Sequence, residues 1–117
     1  MKVAVSAQGE DLSAGFQPGF GRAPWFIIVD LETGGSTPLS NRHNLSGGRG
    51  VGVRTAQDVA ASGAEAVLTG QIGPKAFAYL RGKNIQIYLT EQETVQEAIQ
   101  TLRSGQLQPR DSLLGEP

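Results

Sequence analysis

The strongest constraint on the fold of this chain is the alternation of strand-type and helix-type segments in its second half. Short apolar runs at residues 65–69 and 85–89 are typical of buried strands, and the segments around them repeat apolar residues at helical spacing. Successive strands joined through a helix normally run in the same direction. The two crossovers therefore predict the parallel part of a β-sheet, with helices packed on it.

The first half of the chain predicts an antiparallel part of the same sheet. Residues 2–6 form a short strand-type run, and Trp25–Asp30 is rich in the aromatic and β-branched residues of a buried strand. Gly34 and Gly35 then favour a hairpin turn, because glycine adopts positive φ without strain. Residues 36–41 are poor in apolar side chains and would return as an edge strand.

The sequence therefore predicts a single α/β domain over residues 1–107, with a mixed sheet of five strands and three helices. The long polar loop at residues 7–24 is expected to be disordered in the absence of a ligand. Residues 108–117 contain two prolines and no helical or strand period, so they are expected to form a flexible C-terminal tail.

The absence of cysteine limits the metal chemistry of this chain more than any other feature of its composition. It has 117 residues, no Cys and one His. Disulfides, thiolate-ligated zinc and conventional iron–sulfur ligation are excluded, and no set of histidine ligands can form within one chain. A soft metal cluster would have to bring most of its own ligands, such as inorganic sulfide.

Charge and hydropathy predict the environment of the protein. A net charge of −1 gives no general attraction for nucleic acid or for a membrane surface. The first residues are too short an apolar run for a signal peptide, and no run approaches the length of a transmembrane helix. We therefore expect a soluble, cytoplasmic protein without nucleic-acid or membrane partners.

Three loops are expected to meet beyond the carboxyl ends of the parallel strands, where open α/β sheets bind ligands. They span residues 7–23, 45–52 and 70–74, and the last two lead into helix N-termini, whose free N–H groups attract anions. The interval 33–57 contains no acidic residue, and its basic residues are Arg42, His43, Arg49 and Arg54. The sequence predicts a shallow, cationic, glycine-lined pocket for an anion.

Two other interpretations of the glycine loop remain open. The run Gly48-Arg49-Gly50-Val51-Gly52 matches neither the dinucleotide fingerprint nor the P-loop, so a nucleotide site has little support. The loop could instead be a mobile segment that only caps the first helix.

The acidic residues do not suggest catalysis. Asp30, Glu32, Asp58 and Glu65 form no obvious cluster that would hold two metal ions, and no nucleophile motif accompanies His43. We predict that the protein is not an enzyme.

Three short motifs resemble those of a known family. Gly19-Phe20-Gly21-Arg22-Ala23-Pro24-Trp25-Phe26 resembles the HFGRA-aromatic signature of the dinitrogenase iron–molybdenum cofactor biosynthesis family. Residues 69–76 resemble its GxGP-x-A loop, and residues 94–98 resemble its TVEEA helix start. The motifs stand in the order of the family and extend over residues 1–107. Gly19 stands where the family often has His.

The resemblance implies a ribonuclease-H-like fold and a nitrogenase accessory role in handling molybdenum- or iron-containing sulfide clusters. Without cysteine, the chain is similar to members that carry a molybdenum–copper sulfide cluster without covalent ligands. A related Mo/Fe-sulfur cluster is the other cofactor expected. Partners would be the cluster itself and the proteins that deliver or receive it. The alternatives are a metal-free regulatory or protein-interaction module, and a domain for a phosphate ligand or nucleotide.

The residues expected to bind the cluster fall into three groups, and none is expected to ligate the metal. Basic side chains would neutralise its charge, glycines would bring backbone N–H groups near sulfide, and two aromatic side chains would exclude water. These residues are Arg22, His43, Arg49 and Lys75; Gly21, Gly48, Gly50 and Gly73; Phe20 and Trp25.

Overall fold

A computed structural model describes residues 1–113 and contains one sheet of five strands. The strands are β1 Lys2–Ala7, β2 Trp25–Asp30, β3 Ser36–Ser40, β4 Ala66–Thr69 and β5 Gln86–Leu89. Their order across the sheet is β3-β2-β1-β4-β5. The strands β1, β4 and β5 are mutually parallel, whereas β2 is antiparallel to both β1 and β3. The predicted mixed sheet is therefore confirmed.

Three longer helices pack on this sheet, as predicted, and two shorter helical turns accompany them. The helices are α1 Arg42–Leu45, α2 Val51–Ala61, α3 Pro74–Gly82 and α4 Val95–Arg103, and a 3-10 turn covers Phe20–Arg22. The sequence did not predict α1, because a single turn of helix is too short to show an apolar period. None of the helices in residues 1–113 is long and apolar enough to cross a membrane.

Side chains alternate between the two faces of the sheet along each strand, so each face carries a hydrophobic core. Ala4, Val67 and Ile87 belong to the core beneath α2 and α3. Their neighbours Val5 and Leu68 belong to the core beneath α4 on the opposite face. Because both faces are covered, the central strands carry apolar residues almost continuously.

The loop at residues 7–24 is ordered, so the expectation of disorder is wrong. Phe16 and Phe20 are 6% and 1% exposed, and each anchors the loop to a different core. The Phe16 N–H donates to the Glu93 carbonyl at 2.9 Å, and the Phe20 N–H donates to the Gln71 carbonyl at 2.9 Å. Burial of two phenylalanines outweighs the freedom of the glycines in this loop.

Part of the predicted C-terminal tail contacts the domain. The Arg110 N–H donates to the Ile87 carbonyl at 2.7 Å, along the edge of β5. Leu113 packs against the core beneath α2 and α3. The division into a domain at 1–107 and a flexible tail at 108–117 stays a prediction, and residues 114–117 of that tail lie outside the described residues.

Candidate anion-binding site

The 3-10 turn and the first turns of α2 and α3 meet at one edge of the structure. The Phe20 N–H bonds to Gln71, two residues after β4 ends. A Cβ added at Gly21 would lie 3.7 Å from the Gly52 Cα, and a Cβ added at Gly52 would lie 3.6 Å from the Ala76 Cβ. The three loops that the sequence placed together therefore do converge.

Both α2 and α3 begin at a glycine and lack the usual N-terminal neutralisation. Gly50, with φ +80°, precedes α2, and Gly73 precedes α3. Within residues 1–113, no side chain caps either helix and no acidic residue lies in either first turn. By contrast, α4 has a full capping box in which Thr94 and Glu97 satisfy each other's N–H groups. The ends of α2 and α3 thus present unneutralised partial positive charge to an anion.

A shallow cavity of about 520 Å³ lies at this meeting point. Gly21 and Arg22 line one side, and Leu45, Val51 and Gly52 line the other. Its volume falls within the range of small-ligand sites. A single cationic side chain, backbone at two glycines and two apolar side chains are suited to an anion that is only partly hydrated.

Arg54 lies in α2 against the loop at residues 47–50, and the sequence did not identify it as a site residue. Its Nη1 donates to the Arg49 carbonyl at 2.8 Å, so its guanidinium lies under the loop that precedes α2. Its Nη2 is buried and has no hydrogen-bond partner within residues 1–113. The only signal in the sequence was position, because residue 54 is one helical turn after Gly50 and belongs to the basic interval.

The two aromatic residues predicted to exclude water lie on opposite faces of the sheet. Phe20 belongs to the core beneath α2 and α3, where its ring meets Phe26 edge-on at a centroid distance of 5.1 Å. Trp25 packs against the core beneath α4, and the Arg42 guanidinium lies 5.1 Å from its ring centroid. The structure therefore does not bring Phe20 and Trp25 together as one wall of a pocket.

His43 contacts an acidic residue that the sequence placed 15 positions away. Its Nε2 lies 2.8 Å from Asp58 Oδ2, and the Asn44 side-chain amide donates to the same oxygen at 2.9 Å. These bonds, the one from Asn44 first, hold the pKa of Asp58 below its ordinary value of 3.8. The imidazole is thus engaged in fastening α1 to α2.

The other predicted site residues lie along the rim of the convergence. Gly48, with φ +69°, and Arg49 lie in the exposed loop before α2. Lys75 is exposed in the first turn of α3, directly after Gly73 and Pro74. Because these residues surround the two helix N-termini, they are placed to add charge and N–H groups there.

The donor set of this edge fits an anion that carries its own metal ligands. Within residues 1–113, no group of three or more His, Asp or Glu side chains could hold a metal ion, and cysteine is absent from the chain. One cationic side chain, Arg22, and the backbone of two glycines instead line the cavity beside Leu45 and Val51. A bare metal ion does not fit this edge, whereas a metal already ligated by sulfide does.

Comparison with known structures finds close relatives of this fold. The apo form of the orange protein from Desulfovibrio gigas superimposes with a TM-score of 0.91 at 36% identity, over 95% of this chain and 93% of that chain. A candidate NifB protein from Thermotoga gives a TM-score of 0.84 at 31% identity, over 99% and 98% of the two chains. These similarities confirm the predicted fold class.

Sequence comparison reaches the same group of proteins. An uncharacterized protein of Methanocaldococcus jannaschii is 30% identical over 113 residues, which are 92% of this chain and 90% of the relative. The family model for the dinitrogenase iron–molybdenum cofactor matches residues 1–105. The resemblance carried by the three motifs is thereby confirmed, and this chain belongs to the dinitrogenase iron–molybdenum cofactor family.

Proposed function

We propose that this protein is a non-catalytic carrier that binds an anionic metal–sulfide cluster, of molybdenum–copper or iron–molybdenum type, without covalent ligands. The observation that carries the proposal is the pair of adjacent helix N-termini at α2 and α3. Within residues 1–113, each begins at a glycine, without a side-chain cap or an acidic first turn. Membership of the family and similarity to the apo form of the orange protein support a cofactor-related accessory role.

The cluster would be held by hydrogen bonds and charge. Backbone N–H groups at the start of α2 and α3 would donate to sulfide, as they do to other anions at helix N-termini. Arg22, at the cavity wall, would supply the nearest exposed formal charge. Arg49 and Lys75 at the rim would add a weaker, solvent-screened attraction. Such outer contacts select a cluster by its charge and shape, while sulfide supplies the bonds to metal.

Binding without covalent bonds also determines how the protein would exchange its cluster. A cluster held without covalent bonds can be taken up and released intact, which suits exchange with proteins that deliver or receive it. We place this exchange in the cytoplasm, where reduced metal–sulfide species persist.

A metal-free interaction module is the second candidate function. Leu45 is 40% exposed and lies beside Val51 at the cavity wall. Together these side chains form a small apolar surface next to the cationic edge. A protein partner with an acidic and apolar segment would match that surface as well as a cluster does.

Titration of the metal-free protein with tetrathiomolybdate, followed by visible absorbance, tests the proposed function. We expect saturable binding that weakens as the salt concentration rises, because charge supplies much of the attraction. Molybdate at the same concentration serves as the control, since it carries the same charge but no sulfide. Equal binding of both ions would argue for a general anion site, and binding of neither would refute the carrier function.

A further inference from the structure

Arg54 occupies the space beneath the loop at residues 46–50. Its Nη1 donates to the Arg49 carbonyl at 2.8 Å. A Cβ at Gly47 would overlap the Arg54 guanidinium, and a Cβ at Gly50 would lie only 3.1 Å from its Nη1. Glycine at both positions therefore leaves room for the guanidinium beneath the loop in the position seen here.

The closed loop leaves part of the guanidinium unsatisfied. The Nη2 of Arg54 is buried and makes no hydrogen bond within residues 1–113. No carboxylate in that part of the chain forms an ion pair with it, since the ion pair found there joins His43 and Asp58. Buried cationic donors are normally paired, because leaving one unpaired forfeits its hydration without replacement. Nη2 is therefore available to an acceptor from outside the chain, whether water or an anion.

The loop is fastened on both sides of this arginine. On one side, His43 and Asn44 bond to Asp58 and hold α1 against α2. On the other side, Gly50 leads directly into α2. The intervening residues 46–50 are exposed, and Arg54 contacts them through the Arg49 carbonyl. The Gly47 N–H donates to the Asn44 carbonyl and the Gly50 carbonyl accepts from the Arg54 N–H, so a movement centred on residues 48 and 49 would uncover Nη2 while both helix ends stay bonded.

We propose that Arg54 has two roles at the site. It holds the loop at 46–50 closed in the cluster-free protein, and it donates from Nη2 to the anionic cargo when that loop opens. The inference rests on the proposed function for the identity of the cargo. The pairing of one guanidinium with both the loop and the cargo links loop closure to occupancy. Arginine suits both tasks because its nitrogens donate in a fixed fork, which lysine cannot reproduce.

Two measurements on the full chain test the two halves of this inference. The variants are Arg54→Gln and Arg54→Lys. Arg103→Gln is the matched control, because the Arg103 guanidinium also donates to a backbone carbonyl, that of Leu31, but lies away from the site on α4. Amide hydrogen exchange at Gly47, whose N–H donates to the Asn44 carbonyl at 3.1 Å, reports loop closure. Tetrathiomolybdate titration reports the contact with the cargo.

We expect Arg54→Gln to speed exchange at the Gly47 amide at least fivefold and to weaken tetrathiomolybdate binding at least tenfold. Arg54→Lys should recover part of the affinity through its charge but not the slow exchange. Arg103→Gln should change neither. Circular dichroism and thermal unfolding establish that each variant is folded before the comparison is made.

Different failures contradict different claims. Unchanged affinity in Arg54→Gln, with binding by the wild type intact, would overturn the role of Arg54 and leave the carrier function standing. Unchanged exchange at the Gly47 amide would overturn the loop-closing role, whatever the affinity. Absence of binding by the wild type would refute the carrier function and the cargo contact together.

Discussion

Ser6 Oγ and Thr69 Oγ1 lie 2.7 Å apart at the carboxyl ends of two neighbouring parallel strands, and both residues are fully buried. The Ser6 hydroxyl also donates to the Gln17 carbonyl at 2.6 Å. The Thr69 hydroxyl, 2.7 Å from Ser6 Oγ and 3.3 Å from the Pro18 carbonyl, can donate its single proton to either acceptor. This pair of hydroxyls therefore fastens the loop that leads to the 3-10 turn onto the end of the sheet.

Replacing Thr69 with Val tests that attachment. The change keeps the shape of the side chain but leaves the buried Ser6 oxygen without the Thr69 hydroxyl as its partner, so we expect a loss of about 1–3 kcal/mol in the free energy of unfolding. Urea denaturation measures it. Thr101→Val is the matched control, because its hydroxyl bonds to the Glu97 carbonyl on the surface of α4. Equal effects of the two variants would contradict the importance of the buried pair.

Gly70 is required by the close approach of Pro18. A Cβ at Gly70 would lie 2.9 Å from three atoms of Pro18, two of them backbone. We expect Gly70→Ala to destabilise the protein by about 1–3 kcal/mol, because backbone cannot move aside as a side chain can.

Gly82→Ala gives the contrast to that substitution. Within residues 1–113, nothing lies within 4 Å of a Cβ added at Gly82, at the end of α3. Alanine is a better helix former, so the variant should be neutral or more stable by up to about 1 kcal/mol. Thermal unfolding measures the stability of both variants. A Gly70→Ala protein as stable as the wild type would contradict the close packing of Gly70 against Pro18.

Much of the fold could be predicted from the sequence, because β-branched runs and helical spacing are local signals. The strands and the three longer helices follow from them. The contact of His43 with Asp58 could not be predicted in this way, since it depends on how α1 folds back on α2. The sequence also did not predict that Phe20 and Trp25 lie on opposite faces of the sheet, because the 3-10 turn that begins at Phe20 changes the direction of the chain before Trp25.

The location of the candidate site was predictable from the sequence, but the buried environment of Arg54 was not. Glycines before two helices indicate helix N-termini, and topology brings those ends to one edge. The sequence treats Arg49 and Arg54 alike as basic residues of one glycine-rich interval. Only the folded loop distinguishes them, since it exposes the Arg49 side chain and buries the Nη2 of Arg54.

Asp58 should make stability depend on pH in acid. The Asn44 amide, followed by His43, holds the pKa of Asp58 below 3.8, so the ionised carboxylate stabilises the fold. That stabilisation is present above the unfolded pKa and is lost as the pH falls through the lower folded value. Because the side chain is 42% exposed, solvent screening keeps the effect modest.

The Asn44→Ala variant tests this dependence. Removing the principal hydrogen bond should raise the pKa of Asp58 toward its ordinary value, which NMR titration of its carboxyl carbon measures directly. The loss of stability in acid should then be complete at a higher pH and be smaller in extent. An identical pKa in the wild type and in Asn44→Ala would contradict the assigned cause.

A charge at position 52 should separate stability from cargo binding. Gly52 lies in the first turn of α2 at the cavity wall, where an added Cβ has room. We expect Gly52→Asp to leave stability unchanged or higher, because a carboxylate there favours the helix dipole. The same carboxylate should repel an anionic cluster and weaken tetrathiomolybdate binding at least tenfold.

Gly52→Asn is the control for that variant, because it has nearly the same shape without the charge. It should retain most of the affinity. Equal loss of binding in the Asp and Asn variants would indicate that size, and not charge, governs the site. Retention of binding in Gly52→Asp would place the anion elsewhere on the protein.

Elemental analysis combined with a visible spectrum, on protein isolated from its native source, tests the central claim most directly. The account predicts molybdenum in stoichiometric amount, together with sulfide and with copper or iron, and charge-transfer bands in the visible range. A colourless protein without these metals would contradict the carrier function. The cationic edge would then be the surface at which a protein partner binds.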